Sequence, residues 1–184
     1  QVINPTLEGM AKEGNDYTGF LYAGLMISPS GDIKVIEYNC RFGDPETQPI
    51  MMRLKSDLVS LCQSALDKTL DKQTTDWDER AAVGVVLAAG GYPATYYKGH
   101  AVLGLDSALN NNATAKIFHA GTALDADTVV TSGGRVLCAT ALGNSVLEAQ
   151  ELAYSLANDI SWSGSFYRKD IAYRAIAREQ QKTQ

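Results

Sequence analysis

Apolar and polar positions change rhythm repeatedly along the first half of the chain. Leu7, Met10 and Ala11 recur at helical spacing behind Asn4-Pro5-Thr6. That spacing predicts a helix capped by Asn4, with Pro5 at its first position and an end at Gly14-Asn15. Residues 18–27 are rich in aromatic and branched side chains, Ser28-Pro-Ser-Gly-Asp32 reads as a turn, and Ile33–Asn39 as a returning strand. The pair predicts an antiparallel hairpin. Pro45 and Glu46 are expected to open a short helix carrying Ile50, Met51 and Leu54. Asp57 is expected to cap a stronger helix with an apolar stripe of Leu58, Leu61, Cys62, Ala65, Leu66 and Leu70.

Residues 71–80 are nearly all polar apart from Trp77, which marks a boundary between a first domain at 1–75 and a second at 80–184. Beyond it the rhythm shortens to strands, expected at 82–88, 101–105, 116–120, 128–131 and 135–142. Gly90-Gly-Tyr-Pro93 and Ser132-Gly-Gly134 read as tight reversals, and Asn110-Asn-Asn112 as an exposed loop. A long amphipathic helix follows, with Val146, Ala149, Leu152, Ala153, Leu156 and Ala157 facing inward. Asp170 is expected to cap a last helix over residues 171–177, and the polar tail from Arg178 to fray. The fold class is α+β, antiparallel strands with helices followed by a small, mostly β domain with flanking helices.

Composition narrows the function. With 45% hydrophobic and 20% charged residues the chain fits a soluble globular protein, and its net charge of -5 argues against wrapping nucleic acid. Its longest apolar run, Ala81 through Ala89, is half of the roughly 20 residues a membrane span needs, so no membrane partner is expected. Cys40, Cys62 and Cys138 are odd in number and widely spaced, which suits a reducing, cytoplasmic interior.

The candidate chemistry lies in Lys34-Val-Ile-Glu-Tyr-Asn-Cys-Arg-Phe-Gly-Asp-Pro-Glu-Thr-Gln48. Alternation along a strand points Val35, Glu37 and Asn39 one way and Ile36, Tyr38 and Cys40 the other. A carboxylate and a carboxamide then stand together, both oxygen donors suited to a hard divalent cation. The wet face of a half-covered sheet would carry the same residues. Arg41 continues the alternation, and Gly43-Asp44-Pro45-Glu46 makes a polar turn. Asp44 there either caps a helix or joins Glu46 in binding an amine, while the amides of a helix opening at Pro45 would hold an anion. Arg53 and Lys55 read as phosphate contacts or solvated flanks. Thr131-Ser-Gly-Gly-Arg135 is either an anion-binding nest or a hairpin turn. His100 and His119 lack metal-ligand spacing, the cysteines read as core, and Tyr92, Tyr96 and Tyr97 as loop packing.

These motifs resemble the phosphoribosylamine–glycine ligase family of ATP-grasp enzymes. The resemblance rests on Pro5-Thr-Leu-Glu-Gly-Met10, on Tyr17-Thr-Gly-Phe-Leu-Tyr-Ala-Gly-Leu25 and on Glu37-Tyr-Asn-Cys-Arg-Phe-Gly-Asp-Pro-Glu-Thr-Gln48. Arg53-Leu-Lys-Ser-Asp57, Leu87-Ala-Ala-Gly-Gly-Tyr-Pro93, His119-Ala-Gly-Thr122 and Thr131-Ser-Gly-Gly-Arg-Val136 follow in order.

The resemblance implies the end of an ATP-grasp domain over 1–75 and the carboxy-terminal domain of a ligase over 80–184. It implies an ATP-dependent joining of glycine and 5-phosphoribosylamine in purine synthesis, with Mg2+ or Mn2+ held by Glu37 and Asn39. Arg41, Asp44 and Glu46 are the implied catalytic residues, and Arg41, Gly43, Asp44, Pro45, Glu46, Thr47 and Gln48 the substrate-binding ones. Leu25, Met26 and Ile27 supply no acidic ligand where related enzymes carry one on the preceding strand. The family's amino-terminal domain and the lobe holding the nucleotide lysine precede the region matched. They are the expected partners, and this chain alone is expected to be inactive. The alternative reading is a stand-alone binding or regulatory module, or a structural partner domain, built from the same fold.

Overall fold

The computed structural model describes residues 1–108 and 114–182. The Asn110-Asn-Asn112 loop lies outside the described residues, as do Thr183 and Gln184. The chain divides into two compact units, Gln1–Thr47 with Leu54–Asp76, and Gln48–Arg53 with Trp77–Gln184. No described helix is long and apolar enough to cross a membrane.

In the first unit, α1 spans Ile3–Lys12 and begins before Asn4, with Val2 at the cap position and no side-chain cap bond. Pro5 is accommodated because the first turn of a helix has no intrahelical acceptor for its N–H groups. Thr6 closes that turn, its N and Oγ1 donating to Val2 O at 3.2 and 2.9 Å. Strand β1 (Tyr22–Ile27) starts later than its composition suggests, and β2 (Ile33–Asn39) returns antiparallel to it. Ser28 N donates to Asp32 O at 3.0 Å in the connecting turn. The register runs Ile27↔Ile33, Met26↔Lys34, Leu25↔Val35, then slips to Gly24↔Glu37, Ala23↔Tyr38 and Tyr22↔Asn39. Ile36 is therefore an unpaired bulge residue, and strict alternation does not carry through it.

Helix α2 (Thr47–Arg53) opens at Thr47 rather than at Pro45, which lies in the preceding turn after a cis Asp44–Pro45 peptide. In α3 (Leu58–Leu66) Asp57 caps as expected, accepting from Ser60 N at 2.6 Å. Leu58, Leu61, Cys62 and Ala65 are half-buried, but Leu66 is exposed, as is Leu70 in the short 3-10 turn that follows. The expected stripe is thus narrower: no residue of α3 is fully buried. A cavity of about 510 Å³, lined by Ile3, Leu7, Ala11, Leu21, Ala65 and Leu70 among others, separates α1 from α3.

The second unit holds the core. Strands β3 (Ala81–Ala88), β4 (Ala115–His119) and β7 (Arg135–Gly143) form an antiparallel sheet in the order β3-β7-β4. β5 (Thr122–Asp125), not anticipated, pairs with β6 (Thr128–Thr131). The strand expected at 101–105 is reduced to bridges at Ala101 and Leu103, followed by the short α4 (Leu105–Ala108). Continuous apolar runs in β3 and β7 bury Val85, Leu87, Val136, Leu137, Ala139 and Ala141. Against them α5 (Val146–Asn158) sets Ala149, Ala153, Leu156 and Ala157. Small residues bring this helix close: a Cβ on Gly143 would stand 2.9 Å from Glu148 Cβ. Ser145 caps α5, accepting from Glu148 N at 3.1 Å.

The last helix, α6, spans Tyr173–Lys182, two corrections to the expectation. Asp170 does not cap it but pairs with Arg168 at 2.6 Å, and the segment beyond Arg178 stays helical through Lys182.

Candidate functional site

Strand β2 delivers Glu37 and Asn39 to one face, because residues two apart on a strand share a side. Asn39 Nδ2 donates to Glu37 Oε1 at 3.1 Å, and Arg41 donates from its terminal nitrogens to Asn39 Oδ1 at 3.2 Å and Phe42 O at 2.9 Å. Acid, amide and guanidinium therefore form one hydrogen-bonded line, with Glu37 and Arg41 exposed and Asn39 half-buried. Tyr38 points away and meets α1, its Oη 2.7 Å from Thr6 Oγ1. Glu37 lies across β1, where a Cβ on Gly24 would stand 3.0 Å from its Cγ.

The turn beyond is built on Gly43. Thr47 N and Oγ1 both donate to Gly43 O, at 3.0 and 2.6 Å. Gly43 is buried, and a Cβ there would overlap the Glu46 carboxylate and stand 2.8 Å from Tyr22 Cε2. Only a residue without a side chain admits both neighbours. Tyr22 Oη donates to Glu46 Oε1 at 3.2 Å. The Glu46 carboxylate is the main influence that raises the Tyr22 phenol above its ordinary range, with Glu37 adding to it and Arg41 opposing. Tyr22 is the member of this cluster that sequence reasoning missed.

Several expected features are not brought together. At the helix start Pro45 and Pro49 have no N–H and Thr47 N is committed to Gly43 O, so these three positions offer no amide to an anion. Asp44 is exposed and Pro45 half-buried, whereas Gln48 belongs to the second unit, its Oε1 buried without a partner. Arg53 serves structure, donating from Nε to Asp78 O at 3.0 Å, and Lys55 is exposed. The Ser132-Gly133 amides converge on Gly121 O at 2.7 and 3.0 Å, so a carbonyl stands where a nest would hold its anion. His119 Nδ1 meets Thr122 Oγ1 at 3.0 Å, outside any cluster. Cys138 is buried but Cys40 is exposed, and Tyr97 is exposed while Tyr92 and Tyr96 pack edge to face.

Glu37 and Asn39 fit a hard cation that takes the rest of its oxygen shell from water and phosphates. Among the described residues no group of three or more His, Cys, Asp or Glu could hold a metal ion unaided. No acid occurs in β1.

The phosphoribosylglycinamide synthetase ATP-grasp (A) domain family matches residues 1–47, and the phosphoribosylglycinamide synthetase C domain family matches residues 82–174. Phosphoribosylamine–glycine ligase of Vibrio cholerae is 66% identical over 182 residues, which cover 99% of this chain and 42% of the relative. The Pseudomonas aeruginosa ligase is 66% identical over 179 residues, covering 97% and 41%. The crystal structure of phosphoribosylamine–glycine ligase from Thermotoga maritima superposes with a TM-score of 0.74 at 37% identity, over 90% of this chain and 40% of that one. N5-carboxyaminoimidazole ribonucleotide synthetase from the same organism shares the fold, with a TM-score of 0.53 at 18% identity, over 79% and 37%. The chain spans about two-fifths of the length of the curated relatives it matches.

Proposed function

Since the chain belongs to the phosphoribosylglycinamide synthetase family, we propose that it contributes the metal-facing strand and substrate turn of an ATP-dependent ligase. The ligase joins 5-phosphoribosylamine and glycine into glycinamide ribonucleotide, releasing ADP and phosphate, in the cytoplasm. Residues 1–75 act as the end of the ATP-grasp domain and 80–184 as the carboxy-terminal domain. The observation that carries this reading is the hydrogen-bonded line Glu37–Asn39–Arg41 running into the Gly43–Glu46 turn.

The reaction needs positioning and charge neutralisation more than a protein nucleophile. A glycine carboxylate oxygen bonds the γ-phosphorus while the β–γ bridging bond breaks and ADP leaves. The amine nitrogen of phosphoribosylamine then bonds the carbonyl carbon of glycyl phosphate, phosphate departs with the carbon–oxygen bond, and the nitrogen gives up a proton. Glu37 and Asn39 are the side chains that would hold Mg2+ or Mn2+, which when bound neutralises phosphoryl charge. Arg41, two residues beyond the end of the strand, offers guanidinium donors to the transferring group. Asp44 and Glu46 are exposed carboxylates able to hold the glycine ammonium. Gly43, Pro45 and Thr47 shape the turn that presents them, and Gln48 follows directly in sequence as the last of the substrate-binding residues.

Two assays test the reading. The gene product containing this sequence, expressed at its full encoded length, is expected to form glycinamide ribonucleotide with equal release of ADP. Absence of product would overturn the ligase assignment. The 184-residue chain by itself is expected to show no ligase activity and no micromolar affinity for Mg-ATP. Micromolar binding would overturn the division of the site between this chain and a further segment.

A further inference from the structure

The β1–β2 register slips by one residue at Ile36, and that slip decides where Tyr22 goes. Continued from Ile27↔Ile33 without a bulge, the pairing would set Tyr22 opposite Tyr38, on the face that meets α1. With the bulge Tyr22 stands opposite Asn39. Residues directly opposite on antiparallel strands share a face, so the ring joins the side of Glu37 and Asn39. There it packs against buried Gly43, and its hydroxyl reaches Glu46 Oε1 at 3.2 Å. Bulges beside sites commonly re-aim one side chain in this way.

We infer that Tyr22 is a positioning residue of the ligase: its hydroxyl and the absent side chain of Gly43 hold the Glu46 carboxylate in place to receive the ammonium of glycine. The inference rests on the ligase reading and adds to it a residue and a substrate group. Glu46 is exposed, so without the phenol its two-carbon stem would sample several rotamers. One carboxylate oxygen accepts from Tyr22, and the other lies over the Gly43 backbone, where a Cβ would collide with it. Strand β1, paired with the strand that bears Glu37 and Asn39, is thereby coupled to the turn bearing Glu46 through one ring.

The test is steady-state kinetics on the full-length gene product. Tyr22→Phe keeps the ring and removes the donor, and is expected to raise KM for glycine about tenfold, the scale of one hydrogen bond to a charged group. Its kcat and its KM for ATP are expected to stay near wild type. Placing 4-aminophenylalanine at position 22 restores an N–H donor on the same ring and is expected to recover glycine affinity. In a Glu46→Gln background the effect of Tyr22→Phe is expected to vanish, a coupling that a general packing role would not produce. If Tyr22→Phe melts early, the 4-aminophenylalanine protein decides alone, because it preserves the ring and differs only at the donor. Unchanged glycine KM in Tyr22→Phe, or equal losses in glycine and ATP affinity, would overturn the inference. Wild-type enzyme without ligase activity would instead overturn the function on which it rests.

Discussion

Asn39 donates from its carboxamide to the carboxylate of Glu37 at 3.1 Å, so the two oxygen donors are prearranged as a pair. Arg41 fixes the other end of the same amide. Glu37→Gln removes the pair's charge while leaving its shape. In the full-length gene product it is expected to lower kcat by at least about 100-fold, the scale of losing one preorganised electrostatic group at a transferring phosphoryl. ADP release at saturating Mg-ATP measures it, and near-wild-type turnover would remove Glu37 from the mechanism.

Leu137 lies fully buried in the central strand β7, between β3 and β4 and beneath α5. Leu137→Ala is expected to destabilise the second unit by about 2–5 kcal/mol, through lost burial and an unfilled cavity. Urea denaturation followed by tryptophan fluorescence suits the measurement, since Trp162 belongs to the same core.

Ser145 accepts from Glu148 N, and Glu148 Oε2 in turn accepts from Asn144 N at 2.7 Å. Ser145→Ala strands one donor at the start of α5, an expected loss of about 1 kcal/mol. Ser145→Asp is expected to preserve stability, because aspartate caps equally well. Paired thermal melts separate the cap from any effect of side-chain size.

Arg168 donates to both oxygens of Asp170, at 2.8 and 2.6 Å, and holds this carboxyl below its ordinary range. A carboxyl with a depressed folded pKa contributes stability that is fully present above its unfolded value of about 3.9. That contribution is lost as pH falls through the folded value. Asp57 behaves alike, its shift caused chiefly by the Ser60 N–H. Asp170→Asn is therefore expected to flatten the acid limb of the melting temperature below about pH 4. The pair is exposed, so the change near neutrality is expected to be small.

The Ser132-Gly133 amides already share the Gly121 carbonyl. Phosphate added to the protein is expected to leave both amide resonances in place in a nitrogen–proton NMR titration. A saturable shift at these two positions would mean that the loop opens to take an anion.

Local pattern was enough for elements whose neighbours are close in sequence. Ile33–Asn39 appears with the bounds its alternation suggests, Asp57 caps α3, and Val146 begins a helix with Ala149, Ala153, Leu156 and Ala157 buried. The adjacency of Glu37 and Asn39 also follows from a repeat of two. What stayed hidden depends on which partner claims each group. Tyr22 and Glu46 are 24 positions apart and meet only because the hairpin slips at Ile36. The Ser132-Gly-Gly134 turn resembles an open nest until the carbonyl of Gly121, across the β5–β6 hairpin, is seen to fill it. Asp170 has the right type and place for a cap, but Arg168, two residues away, claims its carboxylate.

The short helix α2 has a consequence for how such a protein can be taken apart. Gln48–Arg53 belongs to the second unit although the residues on both sides of it belong to the first. Its Pro49 reaches β3, where a Cβ on Gly84 would stand 3.3 Å from the proline Cγ. Arg53 and Asp78 exchange bonds in both directions, Asp78 N donating to Arg53 O at 2.7 Å. The polypeptide thus threads between the units three times, at 47/48, 53/54 and 76/77. A gene clipped at residue 77 would leave the larger piece short of one stave, so recombination that shuffles these modules intact must transfer the upstream helix along with the sheet it lies on.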